Sequence, residues 1–96
     1  MNTIVFDFNS IHTAKKFYAT CKKELDFPGY FGENLDALWD CLTAYISLPV
    51  KVVFKNVTPF HEIKFAKQVM VFREAAEELP GEFQFSIEEK FDEDAG

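Results

Sequence analysis

Asp36 and Asp40 stand four residues apart in a stretch that reads as helix, a spacing that stacks two carboxylates on one face. Such a pair can trade protons as general acid and base, hold a divalent cation, or meet a cationic partner. The surrounding residues favour the third. Between Glu24 and Val50 the chain carries Glu24, Asp26, Glu33, Asp36 and Asp40 and no Lys or Arg, so nothing local neutralises the charge. Like charges at this spacing oppose each other by about 0.2–0.5 kcal/mol. Asp40 also lies too far into the helix to gain from its dipole, and Asp is a poor helix-interior residue. Stability alone does not select this arrangement. Trp39 adjoins the pair, and Tyr30, Phe31 and Gly32 bring aromatic surface and open backbone to the same helix end, a combination suited to protein binding. The plain structural alternative is a solvated helix face with Trp39 half-buried in the core.

The other two chemistries lack companions. A hydrolase built on the carboxylate pair needs a cleft and further groups, and no nucleophile with its base, Gly-rich phosphate loop or His-based dyad accompanies them. A cation held by Glu33, Asp36 and Asp40 would lack the dense oxygen spacing of a calcium loop. No catalytic residue, metal or cofactor is therefore expected. His12 and His61 are isolated in sequence and read as surface or capping residues. Lys15, Lys16, Lys22 and Lys23 form a basic stripe that reads as a solvated face. Cys21 and Cys41 both fall in helical segments without paired-ligand spacing, and read as reduced packing residues.

The 96 residues, 48% of them apolar and 12 of them Phe, suffice for one modest core and so for one domain. The net charge of −6 argues against nucleic acid, whose phosphates are met by clustered Lys and Arg, and suits a basic partner. No run approaches the roughly 18 apolar residues of a membrane span. Met1 to Phe8 lack the basic flank and long apolar run of a signal peptide, so the cytoplasm is the expected location.

The elements that position these residues follow from pattern. Thr3 to Phe8 is β-branched and aromatic and predicts a first strand, with Asn9 or Ser10 as cap for a helix from about 11 to 25 whose inner face is Ile11, Ala14, Phe17, Tyr18, Cys21 and Leu25. Asp26 to Gly32, with its Pro and two Gly, predicts a loop. Asn34 then caps a helix to about Tyr45, with Leu35, Leu38, Leu42 and Tyr45 as its buried face. Leu48-Pro49 ends it, and Val50 to Phe54 predicts a buried strand followed by a turn at Asn56 and a helix start at Thr58-Pro59. Phe60, Ile63, Phe65, Val69, Phe72, Ala76 and Leu79 predict one kinked helix or two short ones up to Pro80-Gly81. Glu82 to Ile87 alternates as an edge strand, and the acidic stretch Glu88 to Gly96 as a frayed tail. Strands separated by helices give an α/β fold: a three-stranded parallel sheet with right-handed βαβ crossovers and helices packed around it.

Two blocks of this chain resemble a known family. Lys22-Lys23-Glu24-Leu25, then Pro28, then the gapless run Tyr30 to Thr43, is similar to the barstar family, intracellular inhibitors of barnase-type ribonucleases; Val71-Phe72-Arg73-Glu74-Ala75 is a second match. The order of elements fits along nearly the whole chain. The resemblance implies a barstar-like fold of one domain and no catalysis: a helix and its preceding loop plug a basic ribonuclease active site, one inhibitor to one enzyme, with the free inhibitor a monomer. It implies that Asp40 occupies the place of a substrate phosphate, that Asp36 and Glu74 add carboxylate contacts, and that Tyr30 covers the nuclease histidine. Trp39 matches an interfacial tryptophan and Tyr45 stands where the family has another tryptophan, both counted with the partner-binding residues, and Gly32, Asn34 and Leu35 match loop and helix-start contacts. Leu48-Pro49 matches a cis bond of the family. The stretch between Val53 and Val71 is shorter than in that family by a few residues, which trims the third helix and bears on how Glu74 is presented. The alternative within the same fold is a bacterial immunity or regulatory protein directed at a different toxin or a non-nuclease target.

Overall fold

A computed structural model describes residues 1–90. Strand β1 (Asn2–Asp7) leads through a short 3-10 turn (Phe8–Ser10) to helix α1 (Ala14–Glu24). After a loop come helix α2 (Leu35–Asp40), a wider π-helical turn (Cys41–Tyr45) and β2 (Val50–Val57). Two helices, α3 (Pro59–Lys64) and α4 (Ala66–Glu78), precede the last strand, β3 (Phe83–Glu89). The sheet has order β1-β2-β3 with both pairings parallel, the architecture that the strand and helix alternation predicts.

Register explains why the strands are so aromatic. Ile4, Val52 and Phe85 lie in one cross-strand row and Phe6, Phe54 and Ile87 in the next, all on the face that meets the helices. Phe54, in the central strand, has ring neighbours Phe6, Phe8, Phe72 and Phe85 with centroids 4.8–5.1 Å away. Phe17 of α1 and Phe72 of α4 complete this cluster and are wholly buried. Burying a side chain of this size stabilises by roughly 1.5–3 kcal/mol, so the cluster is the main hold on the sheet. The opposite face is polar. Asp7, Lys55 and Glu88 form one row across the three strands and Thr3, Lys51 and Gln84 another, with Val5, Val53 and Ser86 between them.

Several boundaries move from their expected places for identifiable reasons. Helix α1 starts at Ala14 because Thr13 is its cap, accepting from Lys16 N at 3.1 Å. The Ser10 hydroxyl is spent on the Asp7 carbonyl and the Asp7 side chain accepts from Asn9 N, which closes the 3-10 turn instead. Strand β2 continues three residues past Phe54, and Asn56 does turn, with φ of 61°, as a bulge against β3. The Phe60 to Leu79 segment is two helices, broken at the buried Phe65. On α3 the inward residue is His61, while Phe60 is 52% and Ile63 81% exposed. Strand β3 includes Glu88 and Glu89, where the acidic tail is expected to begin; residues 91–96 lie outside the described residues. The Leu48-Pro49 bond is cis. Both cysteines are buried free thiols.

Candidate functional site

The loop before α2 is fixed from inside. Asp26 takes a left-handed φ of 54°, and Phe27 N then donates to Lys22 O at 3.0 Å, turning the chain over the end of α1. Phe27 is buried and its ring lies 4.8 Å from that of Phe31, which in turn packs toward Tyr18. With Phe27 and Phe31 turned inward and Phe31 N bonded to Pro28 O, Tyr30 is thrown outward and is 85% exposed. The Lys22 ammonium donates to Gly29 O and holds the loop tip to α1. The loop is therefore an anchored presentation of one tyrosine.

Asn34 is the cap that the pattern predicts. Its side-chain oxygen accepts from Ala37 N at 2.8 Å and its own N–H donates to Gly32 O. A Cβ on Gly32 would stand 3.0 Å from Asn34 Nδ2 and 3.6 Å from Ala37 Cβ, so only glycine leaves the cap undisturbed. Beyond the cap, Leu38 and Leu42 are fully buried, Leu35 and Trp39 are half-buried, and Asp36 and Asp40 face solvent. Trp39 packs against the core, which is the plain structural expectation for it, and stays partly exposed.

Past Asp40 the helix widens. Ile46 N donates to Cys41 O at 3.1 Å, five residues back, in a π-turn. Such a turn brings residues five apart toward one side. Tyr45, which a 3.6-residue period would bury with Leu38 and Leu42, is instead 50% exposed and shares a surface groove of about 300 Å³ with Pro28, Tyr30, Asp40, Cys41 and Ala44. This single carboxylate between two tyrosines, open to solvent, has the charge and the flat aromatic surface that suit a planar cationic group, such as an imidazolium or a guanidinium. The Cys41 thiol beneath it is held above its ordinary pKa, first by burial and then by the Asp40 charge, which disfavours the thiolate.

The remaining residues sit around that groove. Leu35 faces α4, in a shallow apolar groove with Ala66, Lys67, Met70 and Val71. Glu74 is exposed on α4 one turn beyond Val71, and it lines neither groove. Asp36 is exposed in the first turn of α2, where a carboxylate favours the helix end. The fold thus brings together Tyr30, Asp40 and Tyr45, sets Gly32 and Asn34 as their structural support, and leaves Asp36 and Glu74 as outlying charges. The contributions of Cys41 and Ala44 to the groove come from the π-turn, which leaves no distinct periodicity to read. Among the described residues no three His, Cys, Asp or Glu side chains are grouped so as to hold a metal, and no helix is long and apolar enough to cross a membrane.

Comparison with known proteins relates the chain to a family and, among its relatives, to a named bacterial protein. The family described as Barstar (barnase inhibitor) matches residues 1–90. The Bacillus subtilis (strain 168) protein named "Putative ribonuclease inhibitor YrdF" is 41% identical over 91 residues, covering 92% of this chain and 100% of that protein.

Proposed function

The chain belongs to the barstar family, an inhibitor family rather than one of enzymes, and from that premise we propose that it blocks a basic ribonuclease by seating the Tyr30–Asp40–Tyr45 groove and the adjoining acidic helix face on the nuclease active site. A site that cleaves RNA must be cationic where it holds the phosphodiester, so a fixed carboxylate there takes the phosphate's place. Asp40 fills that role, with Asp36 and Glu74 meeting neighbouring cations. Tyr30 and Tyr45 cover a flat side chain of the enzyme, and Trp39, Gly32, Asn34 and Leu35 supply the contact surface around them. The complex is one to one. The observation that carries this reading is Asp40 itself, a solvent-facing mid-helix carboxylate that caps nothing and lies between two exposed tyrosines.

The test is RNA cleavage by barnase titrated with the protein, at low and at high salt, beside Asp40→Ala. Inhibition that saturates at one equivalent, weakens with salt and drops about thirtyfold or more in the variant is the expected result, since a central interface residue contributes about 2 kcal/mol or more. Full-strength inhibition by Asp40→Ala would remove the phosphate-mimic role. No inhibition by the wild type at any ratio would redirect the proposal to another nuclease.

A further inference from the structure

Helix α4 carries a large apolar side chain that the core does not use. Phe72 and Ala75 are fully buried, whereas Met70, about 200° around the helix from Phe72, is 55% exposed. Ala66, Met70 and Glu74 recur at four-residue steps and stack in one row along this outer side. The row is not an ordinary solvated face. Leu35, the first residue of α2, meets it, and Leu35, Ala66, Lys67, Met70 and Val71 enclose a groove of about 410 Å³ between the two helices. Lys67 alone among these five has a polar side chain.

The proposed complex has the nuclease meeting Asp36 on α2 and Glu74 on α4. Asp36 directly follows Leu35, and Glu74 lies one turn beyond Met70 and Val71. A partner surface that touches both carboxylates must cross the seam between α2 and α4, and the groove is that seam. We infer, resting on that reading, that the groove of Leu35, Met70 and Val71 is a second anchoring subsite, which takes an apolar side chain of the same basic ribonuclease between the cations paired with Asp36 and Glu74.

The chemistry of the walls selects this occupant. They offer apolar contact and, apart from Lys67, no side chain able to form a hydrogen bond, so a polar group lowered into the groove would lose water without a replacement. The Lys67 stem lines the wall, and its ammonium repels a nuclease cation set over the groove itself, which leaves the cations to the carboxylates on either side. An apolar centre inside a charged rim is the arrangement in which interface energy concentrates. Met70, unbranched and polarisable, adapts to apolar groups of different shape. Met70 and Lys67 therefore set which ribonuclease fits, whereas Asp40 supplies a contact that any phosphate-binding site would accept. A second copy of this chain is a poorer occupant, since each copy carries a net charge of −6 and like rims would meet.

The chain has 2 Met, Met1 and Met70, so methyl-labelled methionine gives one NMR signal from the groove and one from the N-terminus. With one equivalent of barnase the Met70 methyl signal should shift or broaden and the Met1 signal should stay. In RNA cleavage assays Met70→Gln, which keeps the length and removes the apolar end, should weaken inhibition about tenfold, and Met70→Leu should remain within about twofold of the wild type. Both variants should unfold in urea as the wild type does; if Met70→Gln does not, the wild-type methyl signal decides. Asp40→Ala, run alongside, should lose inhibition whatever Met70 does. Inhibition by the wild type with an unmoved Met70 signal, or with Met70→Gln equally potent, would overturn the subsite and leave the inhibitor reading standing. No inhibition by the wild type would overturn the groove as a barnase subsite together with the reading it rests on.

Discussion

On the proposed reading, Asp40 is the residue where function and stability part company. In the interior of a helical segment Asp is poorer than Ala by about 0.5 kcal/mol, and the like charge of Asp36 one turn earlier adds its own repulsion. Its carboxylate caps nothing, so removing it uncovers no orphan group. Asp40→Ala should therefore raise the unfolding free energy by about 0.5–1 kcal/mol in urea titration while it abolishes most inhibition; a variant that loses both would place Asp40 in the fold rather than in the interface. Asn34 makes the opposite case. Its oxygen satisfies Ala37 N at the start of the helix that carries Asp36 and Asp40, so Asn34→Ala should cost about 1 kcal/mol of stability by the same measurement. Inhibition should fall with it, because the fraying end carries Asp36 and adjoins the Tyr30 loop.

Among the elements, the sheet is asymmetric: one face is a phenylalanine cluster and the other a polar surface set by register. Asp7, Lys55 and Glu88 occupy one row, with the cation in the middle strand, and opposite charges across strands contribute roughly 0.2–1 kcal/mol. Lys55→Glu should turn this row into three acids and lower stability by about 1 kcal/mol, with the loss shrinking at 1 M salt; no loss at low salt would contradict the register. These elements were legible because their signals are local: β-branched and aromatic runs for the strands, Asn34 and Thr58 as caps, Pro80-Gly81 as a stop. Three features were hidden because long-range contacts decide them. Tyr45 follows a π-turn that leaves no periodicity of its own. His61 takes the inward place that the pattern gives to Phe60 and Ile63, because its ring satisfies Thr58 N and meets His12 from the far end of the chain. Ser10 loses the cap of α1 to Thr13 because its hydroxyl is already bonded to Asp7. Of the candidate site, the acidic window and its aromatic neighbours were visible from spacing and charge, whereas the meeting of Tyr30 and Tyr45 over Asp40 depends on the inward anchoring of Phe27 and Phe31 and on the widened helix.

At the scale of the whole molecule, charge is distributed so as to act before contact. The net charge is −6, yet the basic residues are not spread evenly: Lys15, Lys16, Lys22 and Lys23 lie on α1, whereas the stretch from Glu24 to Val50 that forms the candidate site has no cation at all. On the proposed reading, a cationic nuclease approaching at random would be drawn toward the α2 side and turned to meet it, which would raise the rate of encounter. Contacts made after docking, such as the cover proposed for Tyr30 and Tyr45, would be short-ranged and little affected by ions in solution. Salt should therefore act on the two rate constants unequally. Measured by stopped flow against a basic ribonuclease, the association rate constant should fall by an order of magnitude or so as ionic strength rises from roughly 0.01 to 1 M, over which the screening length shrinks from about 30 to 3 Å, while dissociation changes much less. Glu74→Gln, which removes one outlying charge and lines neither groove, should lower association modestly and flatten its salt dependence. If salt acted mainly on dissociation, the carboxylates would be working as desolvated contacts rather than as a steering field, and Asp36 and Glu74 would belong to the buried part of the interface with Asp40.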